Sequence, residues 1–214
     1  MADDGIGIEG EVGQTLNEGE PAVPRQAASV IVLREGSDGP EVLLVQRTPK
    51  ARFMGGVWVF PGGAVDAHEG EGDMAHRKAA LRELREEAAL DIGTTGELVA
   101  FSRWITPREV SIRFDTYFFL TEMPEGQEAR IDGEECVDLR WSSPIEALAA
   151  SEAGDLPMVF PTIKHLQQLA PFTTVAELLG YARTREVLPV EPRVVMEGEV
   201  ARILLPGEPG YDES

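Results

Sequence analysis

The stretch WVFPGGAVDAHEGEGDMAHRKAALRELREEAALDIG, residues 58–93, decides the fold of this chain. It opens with a short run of β-branched and aromatic residues that ends in Pro61 and two glycines, where the backbone can adopt positive φ and approach other groups closely. Residues 74–90 are nearly all good helix formers, and Leu81, Leu84 and Ala88 lie three or four positions apart. The stretch therefore predicts a strand, a glycine turn, a loop and an amphipathic helix with one buried face.

The predicted helix carries three carboxylates on one side, because Glu83, Glu86 and Glu87 are spaced i, i+3 and i+4. Such a face is commonly just solvated, but here the FPGG turn brings backbone N–H groups to the same end of the fold. Oxygen-only ligands suit hard divalent cations, so we expect these glutamates to bind Mg²⁺ or Mn²⁺. Arg82 flanks them and can hold a carboxylate through two hydrogen bonds.

The rest of the chain predicts a sandwich of helices and strands. AASVIVL and EVLLVQR, separated by turn residues, predict a hairpin, and the C-terminal third predicts two helices and a terminal hairpin. Ser143 is the expected cap of a helix that starts at Pro144. Further strands are expected at 97–105, 113–120 and 136–141, the two helices at 160–170 and 173–184, and the hairpin at 193–206. Strands and helices that do not alternate regularly indicate an α/β or α+β sandwich rather than a doubly wound sheet.

Composition limits the classes of protein. The 214 residues are 43% hydrophobic, enough for a real core, and the formal charge of −19 argues against binding to long nucleic acids. The chain contains no run of eighteen apolar residues and no pattern typical of a signal peptide, so neither export nor membrane insertion is expected. Its one cysteine, Cys136, cannot form an internal disulfide, which fits a reducing compartment and makes the cytoplasm the expected location.

Three regions are expected along the chain. Residues 1–24 contain six carboxylates and no Lys or Arg, which is typical of a disordered acidic tail. Residues 25–150 hold the acidic helix and most predicted strands and are expected to form the main domain. Residues 151–214 are expected to be a helical extension, with the terminal hairpin, packed on the same domain.

The glycines and the acidic helix resemble the signature of the Nudix hydrolases, G-x5-E-x7-R-E-U-x-E-E-x-G-U, in which U is apolar. The residues that match are Gly63, Arg82, Glu83, Leu84, Glu86, Glu87 and Leu90. Ala89 replaces the last glycine, and the spacing from Gly63 to Arg82 is five residues longer than in the signature. The loop glutamate is therefore open among Glu69, Glu71 and Asp73.

The resemblance implies a fold, a reaction and a set of site residues. The fold would be an α/β/α sandwich with a mixed sheet, extended here by the C-terminal helices. The enzyme would cleave a diphosphate linked to another moiety, with Mg²⁺ or Mn²⁺ held by Glu83, Glu86 and Glu87, and with Arg82 in the catalytic set. A general base is also needed, and Glu109, Glu134 and Glu135 are candidates from loops between predicted strands.

A second resemblance concerns the substrate. The coenzyme A diphosphatases of this family carry L-L-T-x-R-[SA]-x3-R-x3-G-x3-F-P-G-G ahead of the helix. The segment LLVQRTPKARFMGGVWVFPGG is similar, and the matching residues are Leu43, Leu44, Arg47, Arg52, Gly56, Phe60, Pro61, Gly62 and Gly63. Val45 and Thr48 depart from the pattern. The resemblance implies CoA or acyl-CoA as the substrate, with 4′-phosphopantetheine and adenosine 3′,5′-bisphosphate as products, and Arg47, Arg52, Gly62 and Gly63 as the residues that bind it.

Other functions stay open at this stage. ADP-ribose or a dinucleotide is an alternative substrate, and a Nudix-like module that binds a ligand without cleaving it is an alternative of another class. The expected partner is a small nucleotide, and the sequence leaves a homodimer open. Cys136 and the strand residues Trp58 and Phe60 are expected to be packed in the core. The histidines, His68, His76 and His165, show no metal-ligand spacing and are expected at the surface.

Overall fold

The structure, a computed structural model, describes residues 17, 19–51, 54–197 and 200–213. In this part of the chain the α-helices are α1 (Asp73–Ala88), α2 (Pro144–Glu152), α3 (Phe160–Leu169) and α4 (Val175–Arg183). The strands are β1 (Arg25–Glu35), β2 (Pro40–Arg47), β3 (Trp58–Val59), β4 (Gly62–Ala64), β5 (Val99–Ile105), β6 (Phe114–Glu122), β7 (Cys136–Ser142), β8 (Pro189–Val190), β9 (Arg193–Glu197) and β10 (Val200–Leu204).

The first eight strands form one mixed sheet. The hydrogen-bonded order is β3-β2-β1-β6-β5-β8, with β4 beside β1 and β7 beside β2. The pairs β1–β6 and β5–β8 are parallel and the others are antiparallel. The last two strands, β9 and β10, form a separate antiparallel hairpin.

The glycine turn lies inside the sheet because β1 and β2 separate after their connecting turn. They pair only at residues 33–35 and 40–42. Beyond that point β1 pairs with β4 at residues 27–29, and β2 pairs with β3 at residues 45–46. The segment from β3 to β4 therefore fills the gap between the two long strands, and this inserts Gly62 and Gly63 into the middle of the sheet.

Helices cover both faces of the sheet. Along β1, Val30 and Val32 face α1, whereas Ile31 and Leu33 face the opposite core, as the period of two in a strand requires. That second core is completed by α2, α3 and α4. The arrangement is the predicted α/β/α sandwich with a mixed sheet, and the C-terminal helices contribute directly to its larger core.

The predicted elements are confirmed, with boundaries that differ by a few residues. The hairpin β1–β2, the helix α1, the strands β5 to β7, the helices α2 to α4 and the hairpin β9–β10 all occur where they were expected. Ser143 accepts a hydrogen bond from the Glu146 N–H, and Pro144 is the first residue of α2. Trp58, Phe60 and Cys136 are buried as predicted.

Two histidines were predicted wrongly. His68 is exposed as expected, but His76 and His165 are buried, because His76 has a partner at each ring nitrogen and His165 packs among aromatic rings. The ring of His76 lies 2.8 Å from the Gly72 carbonyl oxygen and 2.8 Å from Gln26 Oε1. Nε2 of His165 lies 2.5 Å from Ser102 Oγ.

The predicted acidic tail lies mostly outside the described residues. Close to β1, the Ala22 carbonyl accepts a hydrogen bond of 2.7 Å from Arg113. Among the described residues, no helix is both long enough and apolar enough to cross a membrane.

Candidate active site

The glycine turn lies directly on the carboxylates of α1. The Gly62 N–H donates a hydrogen bond of 2.8 Å to Glu87 Oε2. A Cβ at position 62 would lie 2.5 Å from the Ala28 carbonyl oxygen, and one at position 63 would lie 2.6 Å from the carboxyl carbon of Glu83. Position 62 therefore requires glycine, because a side chain would push the turn away from the backbone of β1, whereas a side chain at position 63 would displace the Glu83 carboxylate.

Arg82 joins the carboxylates on the other side of the turn. It donates to Glu83 at 2.8 Å, to Glu86 at 3.0 Å and to the Ala64 carbonyl at 2.9 Å. It also donates to Glu69 at 3.0 Å, so one guanidinium contacts three glutamates. Burial lowers the pKa of Arg82, but its bonds to Glu69 and Glu83 outweigh burial and raise it, so this residue stays charged.

Burial and charge give the carboxylates different electrostatic environments. Glu87 is 2% exposed, and its burial raises its pKa to about 7 although the Gly62 N–H opposes the shift. Burial also raises the pKa of Glu83, against the hydrogen bond from Arg82. Burial also raises the pKa of Glu69, but the hydrogen bonds from Arg82 and from the Asp66 N–H together outweigh burial and hold this pKa below its usual value. Glu86 differs from these three because its side chain is 59% exposed.

The structure selects one of the three loop carboxylates. Glu69 is buried against Arg82, whereas Glu71 is exposed and Asp73 pairs with Arg77 at 2.7 Å. Glu69 sits at the end of a short 3₁₀ turn, and its Oε2 accepts a hydrogen bond of 2.6 Å from the Asp66 N–H. The five extra residues thus fall after Glu69. The D-x-x-E spacing of a capping box is a local signal for this turn, but the contact with Arg82 comes from packing.

Arg47 approaches the carboxylates from the end of β2. Its Nη1 lies 4.0 Å from Glu87 Oε1, and its buried Nε has no hydrogen-bond partner among the described residues. Cys136 is opposite Arg47 on β7, and burial together with the charge of Glu87 raises the pKa of its thiol. Arg52, the other arginine expected to bind substrate, lies outside the described residues.

The three candidate bases lie in different surroundings. Glu109 is engaged with the terminal hairpin, because its carboxylate accepts hydrogen bonds of 3.2 Å from Arg193 and from the Val194 N–H. Glu134 is exposed. Glu135 lies where β7 meets the end of β2, its carbonyl accepts the Thr48 N–H at 2.8 Å, and its charge helps to raise the pKa of Glu83. Glu135 is thus near enough to the helix carboxylates for its charge to act on Glu83.

The donor set fits a hard divalent cation. Among the described ion pairs, the four carboxylates of Glu69, Glu83, Glu86 and Glu87 are matched by two guanidinium groups, those of Arg82 and Arg47, so negative charge is in excess. In the part of the chain that the structure describes, no three acidic, histidine or cysteine side chains are already grouped as a metal site. Glu83 and Glu86 are turned toward Arg82 instead, so binding an ion would require them to reorient.

A cavity opens beside these groups. It has a volume of about 220 Å³, and Arg47, Gly62 and Gly63 line one end of it. Phe60, Phe118 and Pro161 line its apolar side. The arrangement can therefore hold an anionic group at the glycine turn and an attached uncharged group next to it.

Comparison with known proteins identifies the family. The family model of the NUDIX domain matches residues 23–161, which is more than half of the chain. A solved structure of a NUDIX hydrolase from Alicyclobacillus acidocaldarius superimposes with a TM-score of 0.68 at 27% sequence identity, covering 74% of this chain and 96% of that one.

Two curated relatives differ in the substrate that their names give. An acyl-coenzyme A diphosphatase from Homo sapiens is 30% identical over 53% of this chain and 32% of its own length. A CTP pyrophosphohydrolase from Escherichia coli is 34% identical over 63% of this chain and 87% of its own length. The match with the human protein thus spans about a third of that relative.

Proposed function

The chain belongs to the Nudix family, and on this premise we propose that it is a metal-dependent hydrolase that cleaves a diphosphate linkage in a nucleotide derivative. Nudix hydrolases generally use divalent metal ions. The observation that carries the proposal is the contact between the glycine turn and α1, in which Gly62 donates to Glu87 and Gly63 lies against Glu83. The glycine turn, which would bind phosphate groups, is therefore next to the carboxylates that would hold the ion.

The site residues would have different roles in the reaction. A divalent cation held by Glu83, Glu86 and Glu87 would neutralise phosphate oxygens and lower the pKa of water. Arg82 holds Glu83, Glu86 and Glu69 at fixed places on one side of the turn. Arg47, whose Nη1 lies 4.0 Å from Glu87 Oε1, would offer a permanent positive charge to the diphosphate. We assign the general base to Glu135, since its charge acts on Glu83 and its segment borders Arg47.

We further propose that the substrate is CoA or an acyl-CoA. The segment from Leu43 to Gly63 supports this substrate through its similarity to the CoA diphosphatase pattern. The name of the human relative agrees with it, although that protein is only 30% identical. The E. coli relative, whose name gives CTP, supports a simpler nucleotide as the second candidate.

A substrate panel tests the reaction and the substrate together. The purified protein is incubated with CoA, an acyl-CoA, ADP-ribose, a dinucleotide and nucleoside triphosphates, each with Mg²⁺ or Mn²⁺, and the products are separated by chromatography. We expect 4′-phosphopantetheine and adenosine 3′,5′-bisphosphate from CoA. Cleavage of another compound alone would reject the CoA assignment and retain the hydrolase. Binding without cleavage of any of them would favour the ligand-binding module.

The same assay tests the metal carboxylates. Glu87→Gln should lower kcat by about 100-fold or more, because it removes a negative charge next to the glycine turn but keeps an oxygen that can accept the Gly62 N–H. Circular dichroism should show an unchanged fold. Glu128→Gln, on an exposed side chain paired only with Arg130 among the described ion pairs, is the matched control and should retain full turnover. Turnover of Glu87→Gln equal to that of the control at saturating metal would remove Glu87 from the site.

The arginines distinguish CoA from smaller diphosphates. Arg47→Ala and Arg52→Ala should lower kcat/KM for CoA by about ten- to a hundredfold, the loss typical of one charge-assisted contact. A diphosphate without the 3′-phosphate should be affected less. Equal losses on both substrates would mean that the arginines serve only the shared diphosphate or the fold.

A further inference from the structure

A second cavity continues the first one beneath the terminal hairpin. It has a volume of about 90 Å³, and it shares Met54, Thr106, Thr116, Phe118 and Pro161 with the cavity at the glycine turn. The shared residues connect the two spaces into one trough along β6. We call the part beneath the hairpin the deep cavity.

The hairpin supplies one wall of the deep cavity. Val194 on β9 and Ile203 on β10 are cross-strand neighbours, and both line this space. Trp104 and Phe160 form the opposite side, with their ring centroids 6.0 Å apart. None of the described lining residues carries a formal charge, so this end of the trough is uncharged, whereas the other end holds the positive charge of Arg47.

The indole N–H of Trp104 is a polar group next to this apolar cavity. Its side chain is only 5% exposed, and its Nε1 has no hydrogen-bond partner among the described residues. A buried N–H without a partner is unfavourable, and a ligand that brings an acceptor would remove that penalty. Nε of Arg47, near the carboxylates, and Nε1 of Trp104, beside the deep cavity, are both buried and without a hydrogen-bond partner among the described residues, so a small side-chain shift would let either donate to a ligand in the trough.

We propose that the deep cavity binds the uncharged arm of the diphosphate substrate, with the Trp104 N–H donating to an acceptor such as an amide carbonyl on that arm. The proposal rests on the proposed function and names which part of the substrate lies where. In CoA the uncharged arm is the pantetheine arm, which carries two methyl groups and two amides. The other arm bears a 3′-phosphate, and burying that charge among apolar side chains without a cation is strongly unfavourable.

The proposal gives the C-terminal hairpin a role. Glu109 fastens β9 through Arg193 and the Val194 N–H, and Arg113 holds Glu191 just before it at 2.7 Å. These contacts keep Val194 over the trough. The hairpin therefore contributes to substrate specificity, because it contacts the uncharged arm of the substrate rather than its diphosphate.

A binding experiment without turnover tests the site. The full-length ¹⁵N-labelled protein is titrated with 4′-phosphopantetheine and, separately, with adenosine 3′,5′-bisphosphate, and its indole N–H signals are followed. The chain has three tryptophans, and the signal lost in Trp104→Phe identifies Trp104. We expect 4′-phosphopantetheine to shift the Trp104 signal and to leave that of Trp141, whose ring stacks with Arg34, in place. Trp104→Phe should weaken its binding about three- to tenfold, as for one neutral hydrogen bond.

A shift of the Trp104 signal with 4′-phosphopantetheine would support the proposal, whereas a shift with adenosine 3′,5′-bisphosphate alone would contradict it. No shift of Trp104 with 4′-phosphopantetheine, or a shift only with adenosine 3′,5′-bisphosphate, would overturn the proposal. Because no cleavage is needed, the result does not depend on whether CoA is hydrolysed. A shift in a protein that cleaves none of the tested compounds would support the deep cavity and reject the hydrolase assignment, whereas failure to cleave CoA alone would reject only CoA as the substrate.

Kinetics with two matched variants provides a second test. Val194→Trp fills the deep cavity, whereas Val195→Trp places the same bulk on the other face of β9. We expect Val194→Trp to raise KM for the cleaved substrate at least tenfold with kcat within about threefold, and Val195→Trp to change neither beyond twofold. Melting temperatures show whether each variant is folded. Equal effects of the two substitutions in folded proteins would overturn the proposal.

Discussion

At the scale of single residues, the site depends on a position where a side chain is excluded. Gly63 lies against the carboxyl group of Glu83, and that group in turn receives a hydrogen bond from Arg82. A glycine at this place lets the chain of β4 pass directly over a charged group. The same closeness lets a phosphate approach the backbone and the carboxylates together.

Gly63→Ala tests this contact. The new methyl group must displace the Glu83 carboxylate, so we expect kcat/KM to fall by about 100-fold, with a modest loss of stability. The matched control is Gly180→Ala in α4, where no atom lies within 4 Å of the added carbon and where alanine should stabilise the helix by about 0.5–1 kcal/mol. Wild-type turnover in Gly63→Ala, measured beside the control, would show that Glu83 tolerates displacement.

His165 gives the folding stability a dependence on pH. Complete burial lowers its pKa to about 3 in the folded protein, against about 6.5 in an unfolded chain. The folded state binds fewer protons between these values. The stability that the neutral ring contributes is therefore fully present above pH 6.5 and is lost as the pH falls toward 3, by up to about 1.4 kcal/mol per pH unit.

The prediction is a smaller pH slope in His165→Gln. The free energy of unfolding in urea, measured at pH 7, 6 and 5, should fall less steeply with decreasing pH than in the wild type. The absolute stability should be lower at pH 7, since Gln packs less well among the four aromatic rings around His165. His68→Gln, at an exposed position, should keep the wild-type slope. Parallel slopes in all three proteins would contradict the assignment of a neutral buried ring.

At the scale of elements, α1 ends in a conformation that alanine rarely adopts. Ala89 has φ of 54° and ψ of 29°, the left-handed region, and its N–H donates back to carbonyls of the last turn. The family signature has glycine at this place, and the backbone shows why, because a Cβ is unfavourable in this conformation. The departure at Ala89 is therefore a matter of backbone stability at the end of the helix.

Ala89→Gly should stabilise the protein by about 1 kcal/mol, since it relieves the left-handed strain. Turnover should stay unchanged, because Ala89 is exposed and its methyl group offers no polar or charged atom to the reaction. Ala149→Gly in α2 is an exposed interior helix position, where the same substitution should destabilise by about 1 kcal/mol. Thermal melts of the two variants should move in opposite directions, and a decrease in both would show that Ala89 is unstrained.

At the scale of the whole molecule, the C-terminal segment is part of the structure that shapes the trough beginning at the glycine turn. The helices α3 and α4 bury Leu166, Leu169 and Leu178 in the larger core. The hairpin β9–β10 is attached to the loop before β6 by Glu109. Residues far beyond the matched family region thus reach the cavity that begins at the glycine turn.

Two glutamates on different loops test this division of roles. Glu109→Gln should leave kcat within about threefold of the wild type, and hydrogen exchange of the hairpin amides should become faster, because one ionic contact to β9 is lost. Glu135→Gln should lower kcat by about 100-fold or more without affecting exchange in the hairpin. A large loss of kcat in Glu109→Gln with unchanged exchange would make Glu109 the base instead.

Local sequence patterns were enough to predict most of the elements and the helix carboxylates. The apolar, β-branched run of β1, the apolar spacing of Leu81, Leu84 and Ala88, and the i, i+3, i+4 spacing of the glutamates all depend on contacts within a few residues. The glycine turn was also readable, since glycine is the residue that permits close approach. The roles of these residues in catalysis and metal binding stay predictions.

Only the tertiary structure decided which distant groups meet. Glu69 rather than Glu71 contacts Arg82, Glu109 holds the hairpin, and His165 is buried beside Ser102, 63 residues away in the chain. No spacing encodes such pairs, because they depend on how the sheet and the C-terminal segment pack together. The sequence by itself determined the strands, the helices and the acidic face of α1, where neighbouring residues interact. Long-range packing alone decided which loop carboxylate contacts Arg82, which buried donors lack a partner among the described residues, and where the trough lies. Such packing places groups from separate elements within a few ångströms of one another.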